Sequence, residues 1–112
     1  MMNEVWLIGR LTKDPEANET PGGKKVTKMT LAVDRDYLKG DGERETDFID
    51  IVAWEKLAEN CSKHLGKGRL VSVKGRLQIR SYDDSQGVRR KAAEIILEKI
   101  HFLDKPKEES ER

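Results

Sequence analysis

Length, composition and charge set the first limits on this chain. It has 112 residues, of which 38% are charged and 36% hydrophobic, and a chain of this size does not bury two separate cores. The formal net charge is only +1, so an overall basic excess cannot identify a nucleic-acid partner. A single cysteine, Cys61, excludes a disulfide scaffold and a thiolate zinc cage.

The N-terminus lacks the basic and apolar regions of a secretory signal. No apolar run approaches the ~20 residues that a membrane-spanning helix needs. We therefore expect a cytoplasmic protein.

Five segments predict strands, and apolar and polar residues alternate along the second, third and fourth of them, as they do in half-buried strands. In chain order, these are residues 5–11, 26–33, 48–54, 70–82 and about 88–97. Between the third and fourth segments the period changes to that of a helix, with one apolar stripe formed by Leu57, Ala58, Cys61 and Leu65. The last residues, 104–112, contain no apolar side chain and predict a disordered polar tail.

Five strands with one helix between the third and the fourth follow the order of the OB-fold, a small barrel that commonly binds single strands. The sequence thus predicts one all-β domain over residues 1–103, an antiparallel five-stranded OB-fold barrel with the helix at its open end. A split sheet with the helix across one face uses similar elements, and periodicity does not separate these two folds.

The fourth predicted strand has a cationic face, on which Lys74, Arg76 and Arg80 alternate with core positions and Tyr82 ends the row. Residues 63–91 hold nine Lys or Arg against two Asp, whereas residues 34–50 hold seven acidic against three basic side chains. A solvated strand face would also alternate in this way. Charge segregation on this scale favours a positive groove, which binding of a single nucleic-acid strand requires.

Large aromatic side chains fall on the side away from the predicted core. Phe48 and Trp54 lie on the face of the third strand opposite Ile49 and Ile51, and Tyr37 lies in a polar loop. Each ring could pack under a loop. Their interleaving with cations favours stacking on exposed bases instead.

Other classes of function have weaker support. Mg²⁺-dependent catalysis would use Asp34, Asp36, Asp47 and Asp50, but no constellation positions a nucleophile beside them. His64 and His101 fall on different elements without a ligand-spaced companion. We therefore expect no enzyme activity, cofactor or metal. A structural module whose sheet pairs with a partner protein remains the alternative from another class.

Several stretches resemble bacterial single-stranded DNA-binding proteins, and the likeness covers roughly residues 2–103. Among them are residues 4–16, 21–23, 29–33, 46–59, 65–68 and 73–82. The resemblance implies an OB-fold homotetramer that binds and protects single-stranded DNA, without strong sequence preference, in replication, recombination and repair. A primosome accessory protein of similar fold, which lacks much of this aromatic set, is the nearest alternative.

The resemblance also assigns roles to residues. It places base-stacking aromatics at Tyr37, Phe48, Trp54 and Tyr82. It places phosphate contacts at Arg10, Arg35, Lys56, Lys74, Arg76 and Arg80.

Two further expectations follow from the resemblance. Relatives usually continue into a linker with an acidic tip that recruits replication and repair enzymes, whereas this sequence ends at Arg112, so recruitment by that route is in doubt. The protein is expected to be cytoplasmic and associated with the bacterial nucleoid.

Overall fold

The computed structural model describes residues 1–38, 40 and 42–104, without the side chains of Tyr37 and Leu38. It contains six strands and one helix. In chain order, these are β1 (Val5–Leu11), β2 (Glu16–Glu19), β3 (Lys25–Leu38), β4 (Arg44–Trp54), α1 (Glu55–His64), β5 (Leu70–Asp83) and β6 (Arg89–Phe102).

The five long strands form a closed barrel. Strand β1 pairs with β5, β5 with β6, β6 with β4, β4 with β3, and β3 returns to β1 at Arg10 and Leu11. The short β2 extends β3 outside this ring. With one helix between the third and fourth long strands, this is the OB-fold arrangement. The predicted fold is confirmed, and closure of the ring excludes the split sheet.

Two details of the predicted topology were wrong. The pairing of β4 with β6 is parallel, through Ile51 opposite Ile95 and Val52 opposite Ile96, so the barrel is not wholly antiparallel. The last strand also runs on to Phe102, beyond the predicted end near Leu97. Alternation alone gives neither strand direction nor the position at which a strand leaves the barrel.

The core fills the barrel and continues under the helix. The apolar stripe of α1 enters it through Ala58 and Cys61, which are 1% and 0% exposed. The Thr27 hydroxyl donates to the Ala58 carbonyl across 2.9 Å and ties α1 to β3. Burial raises the pKa of the Cys61 thiol to about 11, which keeps it protonated at neutral pH. The remaining core residues are Leu11, Met29, Leu31, Ile51, Ala53, Leu65, Val71, Val73, Ile95 and Leu97.

The β5–β6 hairpin leaves the barrel after Gly75. Val71 and Val73 are buried, but Leu77 and Ile79, which continue the same alternation, are 42% and 52% exposed. Alternation along β5 predicts core positions for all four residues, and this prediction is wrong for Leu77 and Ile79. The two strands remain paired to Asp83 opposite Arg89, and they project as a ribbon beside β4.

The chain turns from strand to helix at Trp54. Glu55 has a φ of 56°, and it is the one non-glycine residue in the described ranges with a positive φ. A side chain in this left-handed region costs about 1–2 kcal/mol. The turn lets β4 end with the Trp54 side chain outside the barrel while α1 folds back over the core.

Gly75 sits where β5 passes closest to β6, so we expect Gly75→Ala to destabilise the barrel. A Cβ there would lie 2.3 Å from the Ile96 carbonyl oxygen and 2.8 Å from Ile95 Cγ2. Forcing the strands apart should lower the free energy of unfolding by about 1–3 kcal/mol. Gly22→Ala is the control, because a Cβ there meets only the Thr20 hydroxyl, at 3.9 Å. Urea unfolding that gave both variants the wild-type midpoint would contradict the close approach.

Candidate nucleic-acid interface

The outer face of β4 carries two large exposed rings. Phe48 is 69% exposed and Trp54 39% exposed, as their alternation with Ile49 and Ile51 predicts. They lie six residues apart, a separation of about 20 Å along the strand. Val52 shares their face, is only 5% exposed and lines a cleft in that face. The face is therefore a shallow trough with an aromatic ring at each end.

Strand register extends this face across the sheet. Val52 lies opposite Lys28 of β3 and Ile96 of β6, and Ile96 lies opposite Arg76 of β5. Directly opposed residues point to the same side of a sheet. Arg76, Ile96, Val52 and Lys28 therefore form one row across four strands, between the two rings of β4.

The projecting hairpin adds a third ring and another cation. Tyr82 is 41% exposed, and the Arg80 guanidinium lies 5.4 Å from the centre of its ring, within the range of a cation–π contact. Arg80 Nε also lies 3.8 Å from a carboxylate oxygen of Glu94 on β6. The hairpin thus presents Arg80 and Tyr82 on the same outward side as the row.

A cleft of about 230 Å³ lies between the β5–β6 hairpin and β4, next to the row of residues described above. Its polar lining comes from Lys13, Glu16, Lys28, Thr30, Asp50, Arg80 and Glu94. Three cations and three carboxylates thus face each other there. Two ion pairs are already formed within the lining, Lys13 with Glu16 at 2.9 Å and Arg80 with Glu94. A cleft therefore lies on the face where the sequence predicts a positive groove, but its charge is mixed rather than uniformly positive.

Sequence reasoning missed Lys13 and Lys28 as members of this surface. Lys28 alternates with the core residues of its strand, so its outward direction was visible in the sequence. Its place beside Val52 and opposite Glu16 depends on the register of β3 with its neighbours. Cross-strand register was the signal needed to find it.

The predicted phosphate contact Arg35 lies within the acidic β3–β4 hairpin. Its guanidinium pairs with Glu45 and, at 2.9 Å, with Asp47. The hydrogen bond from Arg35 lowers the pKa of Asp47. The backbone of Tyr37 belongs to β3, but its side chain lies outside the described residues. Arg35 is thus held by its own hairpin.

The predicted contact Lys56 lies in the first turn of α1, two residues after Trp54. It is exposed. The structure thus keeps it at the Trp54 end of the face.

Lys74 lies apart from the aromatic face, which is the surface that carries Phe48, Trp54 and Tyr82. Its ammonium is 3.3 Å from Glu4 and 3.2 Å from Glu98, and it sits 5.8 Å from the centre of the Trp6 ring. The hydrogen bonds that Lys74 donates to Glu98 and Glu4 raise its pKa. Lys74 has the same parity on β5 as Arg80, but β5 pairs with β1 only as far as Gly75 and its register with β6 shifts at that point, so the two cations lie in different surroundings.

Arg10 lies near one end of the barrel and contacts Gly68 and Asp104 there. It donates to the Gly68 carbonyl at 2.9 Å and lies 3.4 Å from Asp104. Burial disfavours the Asp104 carboxylate, but its hydrogen bonds with Arg69 and the Leu70 amide lower its pKa overall. Asp104, placed by the sequence in the polar tail, is thus bonded to the domain. The rest of that tail, residues 105–112, lies outside the described residues.

The outer surface of β1 is apolar and has an open edge. Trp6 and Ile8 are 63% and 58% exposed, whereas Val5 and Leu7 turn partly toward the core. On the side away from β5, β1 pairs with β3 only at Arg10 and Leu11. Backbone groups of β1 before Arg10 are therefore available for a further strand.

A larger cleft, of about 570 Å³, lies between α1 and the β2–β3 hairpin. It is lined by no exposed aromatic ring, and the Lys25–Glu59 ion pair crosses it. Among the described residues, no set of three or more His, Cys, Asp or Glu side chains could hold a metal ion. Within the same residues, no helix is long and apolar enough to span a bilayer. The aromatic face is the better candidate for the functional site.

An OB-fold barrel with exposed rings and cations on one continuous face defines the class of oligonucleotide-binding proteins. Comparison with known proteins gives the family: residues 2–103 match the single-strand binding protein family. This chain belongs to that family.

Its relatives are similar over nearly the whole chain. The single-stranded DNA-binding protein of Caldanaerobacter subterraneus subsp. tengcongensis is 52% identical over 93% of this chain and 69% of its own length. Single-stranded DNA-binding protein 3 of Clostridium acetobutylicum is 53% identical over 92% of this chain and 72% of its own. Single-stranded DNA-binding protein 2 of Staphylococcus aureus is 48% identical over 93% and 75%.

Proposed function

We propose that the chain binds and protects single-stranded DNA, without strong sequence preference, in bacterial replication, recombination and repair. The observation that carries this proposal is the set of three exposed rings, Phe48, Trp54 and Tyr82, around a trough that also holds cations. Large apolar rings exposed to water are costly unless a ligand covers them. Stacked bases would cover these rings, and phosphates would meet the cations.

Stacking and phosphate contact fall to different residues in this proposal. Phe48, Trp54 and Tyr82 stack bases, and Tyr37 continues the series along the β3–β4 hairpin. Arg76, Arg80, Lys56 and Lys28 contact phosphates from the face itself. Arg10, Arg35 and Lys74 are engaged by carboxylates, so each would exchange a carboxylate for a phosphate if it bound DNA.

We further propose a homotetramer built from two dimers, in which the first strands pair across the open edge of β1. Trp6 and Ile8 provide apolar surface for burial between subunits. The protein acts by binding rather than by catalysis and works in the cytoplasm, where it associates with the nucleoid.

Stacking predicts a loss of affinity when the Trp54 ring is removed. Trp54→Ala should weaken binding to a single-stranded oligonucleotide by about 1–3 kcal/mol, and Phe48→Ala should act similarly. Trp54→Phe keeps a ring and is the matched control, with a smaller loss. Trp54 makes no side-chain cap to α1, so circular dichroism should show both variants folded. An unchanged dissociation constant for folded Trp54→Ala would remove this ring from the site.

Phosphate contact predicts a change in salt dependence. Each neutralised phosphate on a single strand lowers the slope of log affinity against log salt by about 0.7. Arg80→Ala should therefore make the slope shallower by about that amount for each subunit engaged. Lys67→Ala removes the same charge from the turn between α1 and β5, away from the cleft, and should leave the slope nearly unchanged. Equal slopes for wild type and Arg80→Ala would show that Arg80 touches no phosphate.

The proposed homotetramer is tested by measuring the molar mass of the protein in solution. Light scattering at micromolar concentration should give about four times the subunit mass of 12.8 kDa. Ile8→Glu places a charge on the exposed surface of β1 and should lower the mass, because an unpaired charge opposes burial. A wild-type mass near that of one subunit would contradict the tetramer.

A further inference from the structure

Asp50 is an anomaly in a surface proposed to bind a polyanion. It lies on the outer face of β4 between Phe48 and Trp54, is exposed, and lines the cleft beside Arg80. The other two carboxylates of the cleft each lie beside a cation, Glu16 next to Lys13 and Glu94 next to Arg80. In the described ranges of the chain, Asp50 forms no ion pair.

The Asp50 carboxylate is held by one side-chain hydrogen bond. The Thr30 hydroxyl, directly opposite on β3, donates to Asp50 Oδ1 across 3.2 Å. This bond occupies one oxygen and leaves Oδ2 as an acceptor. Asp50 lies two residues from Phe48, about 6–7 Å along the strand. The edge of a base stacked on Phe48 would therefore lie within reach of this carboxylate.

A carboxylate in this position distinguishes bases by their donors. It repels phosphates, so its productive contact is with a base edge. The N4 amino group of cytosine donates a hydrogen bond to such an acceptor, whereas thymine presents its O4 carbonyl at the same place. Two acceptors facing each other repel.

We infer that Asp50, held by Thr30, is a specificity-determining residue that favours cytosine over thymine at the position next to Phe48. This inference rests on the proposed function and refines it, because a bias at one position leaves binding tolerant of sequence overall. One net hydrogen bond corresponds to about a two- to tenfold difference in affinity. The ratio of the affinity for oligo(dC) to the affinity for oligo(dT) should therefore be higher by a factor in that range than it is without the carboxylate.

The experiment compares the dissociation constants of oligo(dC) and oligo(dT) of equal length, at pH 8, where cytosine is neutral. The ratio of the wild-type affinity for oligo(dC) to its affinity for oligo(dT) is the reference. Asp50→Asn should lower this ratio by about two- to tenfold, because the carboxylate acceptor is lost and an amide can also donate to the O4 of thymine. Thr30→Val keeps the charge but frees the carboxylate, and it should also reduce the ratio.

Glu19→Gln is the matched control. It removes one negative charge from the neighbouring β2, where Glu19 does not line the cleft, and the ratio should stay as in wild type. If Asp50→Asn strengthened binding to both oligonucleotides by the same factor, Asp50 would act only through charge and the inference would be overturned. If wild type bound neither oligonucleotide, the proposed function itself would fail.

Discussion

The short parallel contact between β4 and β6 is the constraint on which the rest of the structure depends. Only two residue pairs form it, Ile51 with Ile95 and Val52 with Ile96, yet it closes the barrel and therefore the core. Next to this contact, β5 and β6 approach each other so closely at Gly75 that no Cβ fits. The contact also sets the point at which the β5–β6 hairpin separates from β4. The cleft and the position of Arg80 beside Asp50 are consequences of that separation.

Pairing within the fold reduces the charge segregation seen in the sequence. Residues 63–91 are strongly basic, but five of their nine cations lie beside carboxylates. Arg69 pairs with Asp104, Lys74 with Glu4 and Glu98, and Arg80 with Glu94. Arg89 and Arg90 pair with the acids of their own hairpin, at Asp83 and Asp84. A count of charges along the chain therefore overstates the positive potential that a phosphate would meet.

Alternation in the sequence predicted the parts of the site that lie on one strand. Phe48 and Trp54 were placed outward because Ile49 and Ile51 fill the core, and the structure agrees. Features that depend on two strands could not be obtained in this way. The parallel pairing, the short β2, and the neighbours of Lys28 and Asp50 all require cross-strand register, which one sequence does not supply.

The same limit explains the separation of Lys74 from Arg80. Both have the same parity on β5, and on a flat strand they would follow one path. Lys74 lies on the part of β5 that pairs with β1, beside Trp6, whereas Arg80 lies beyond Gly75 on the projecting hairpin and lines the cleft. Leu77 and Ile79 were wrongly predicted to face the core for the same reason. Alternation no longer marks core positions once the hairpin has left the barrel.

Ion pairs that the cations already form in the unbound protein affect how much of the binding affinity comes from phosphates and how much from bases. A phosphate that reaches Arg80 replaces an existing contact with Glu94, so part of the Coulomb energy gained is offset by the pair lost. Phe48 carries no such cost, because it is already exposed to water and a stacked base only removes apolar surface. Stacking should therefore contribute a larger share of the affinity than the number of Lys and Arg side chains on the face suggests. That balance fits a surface whose two β4 rings lie at the ends of the trough, while charges of both signs occupy its middle.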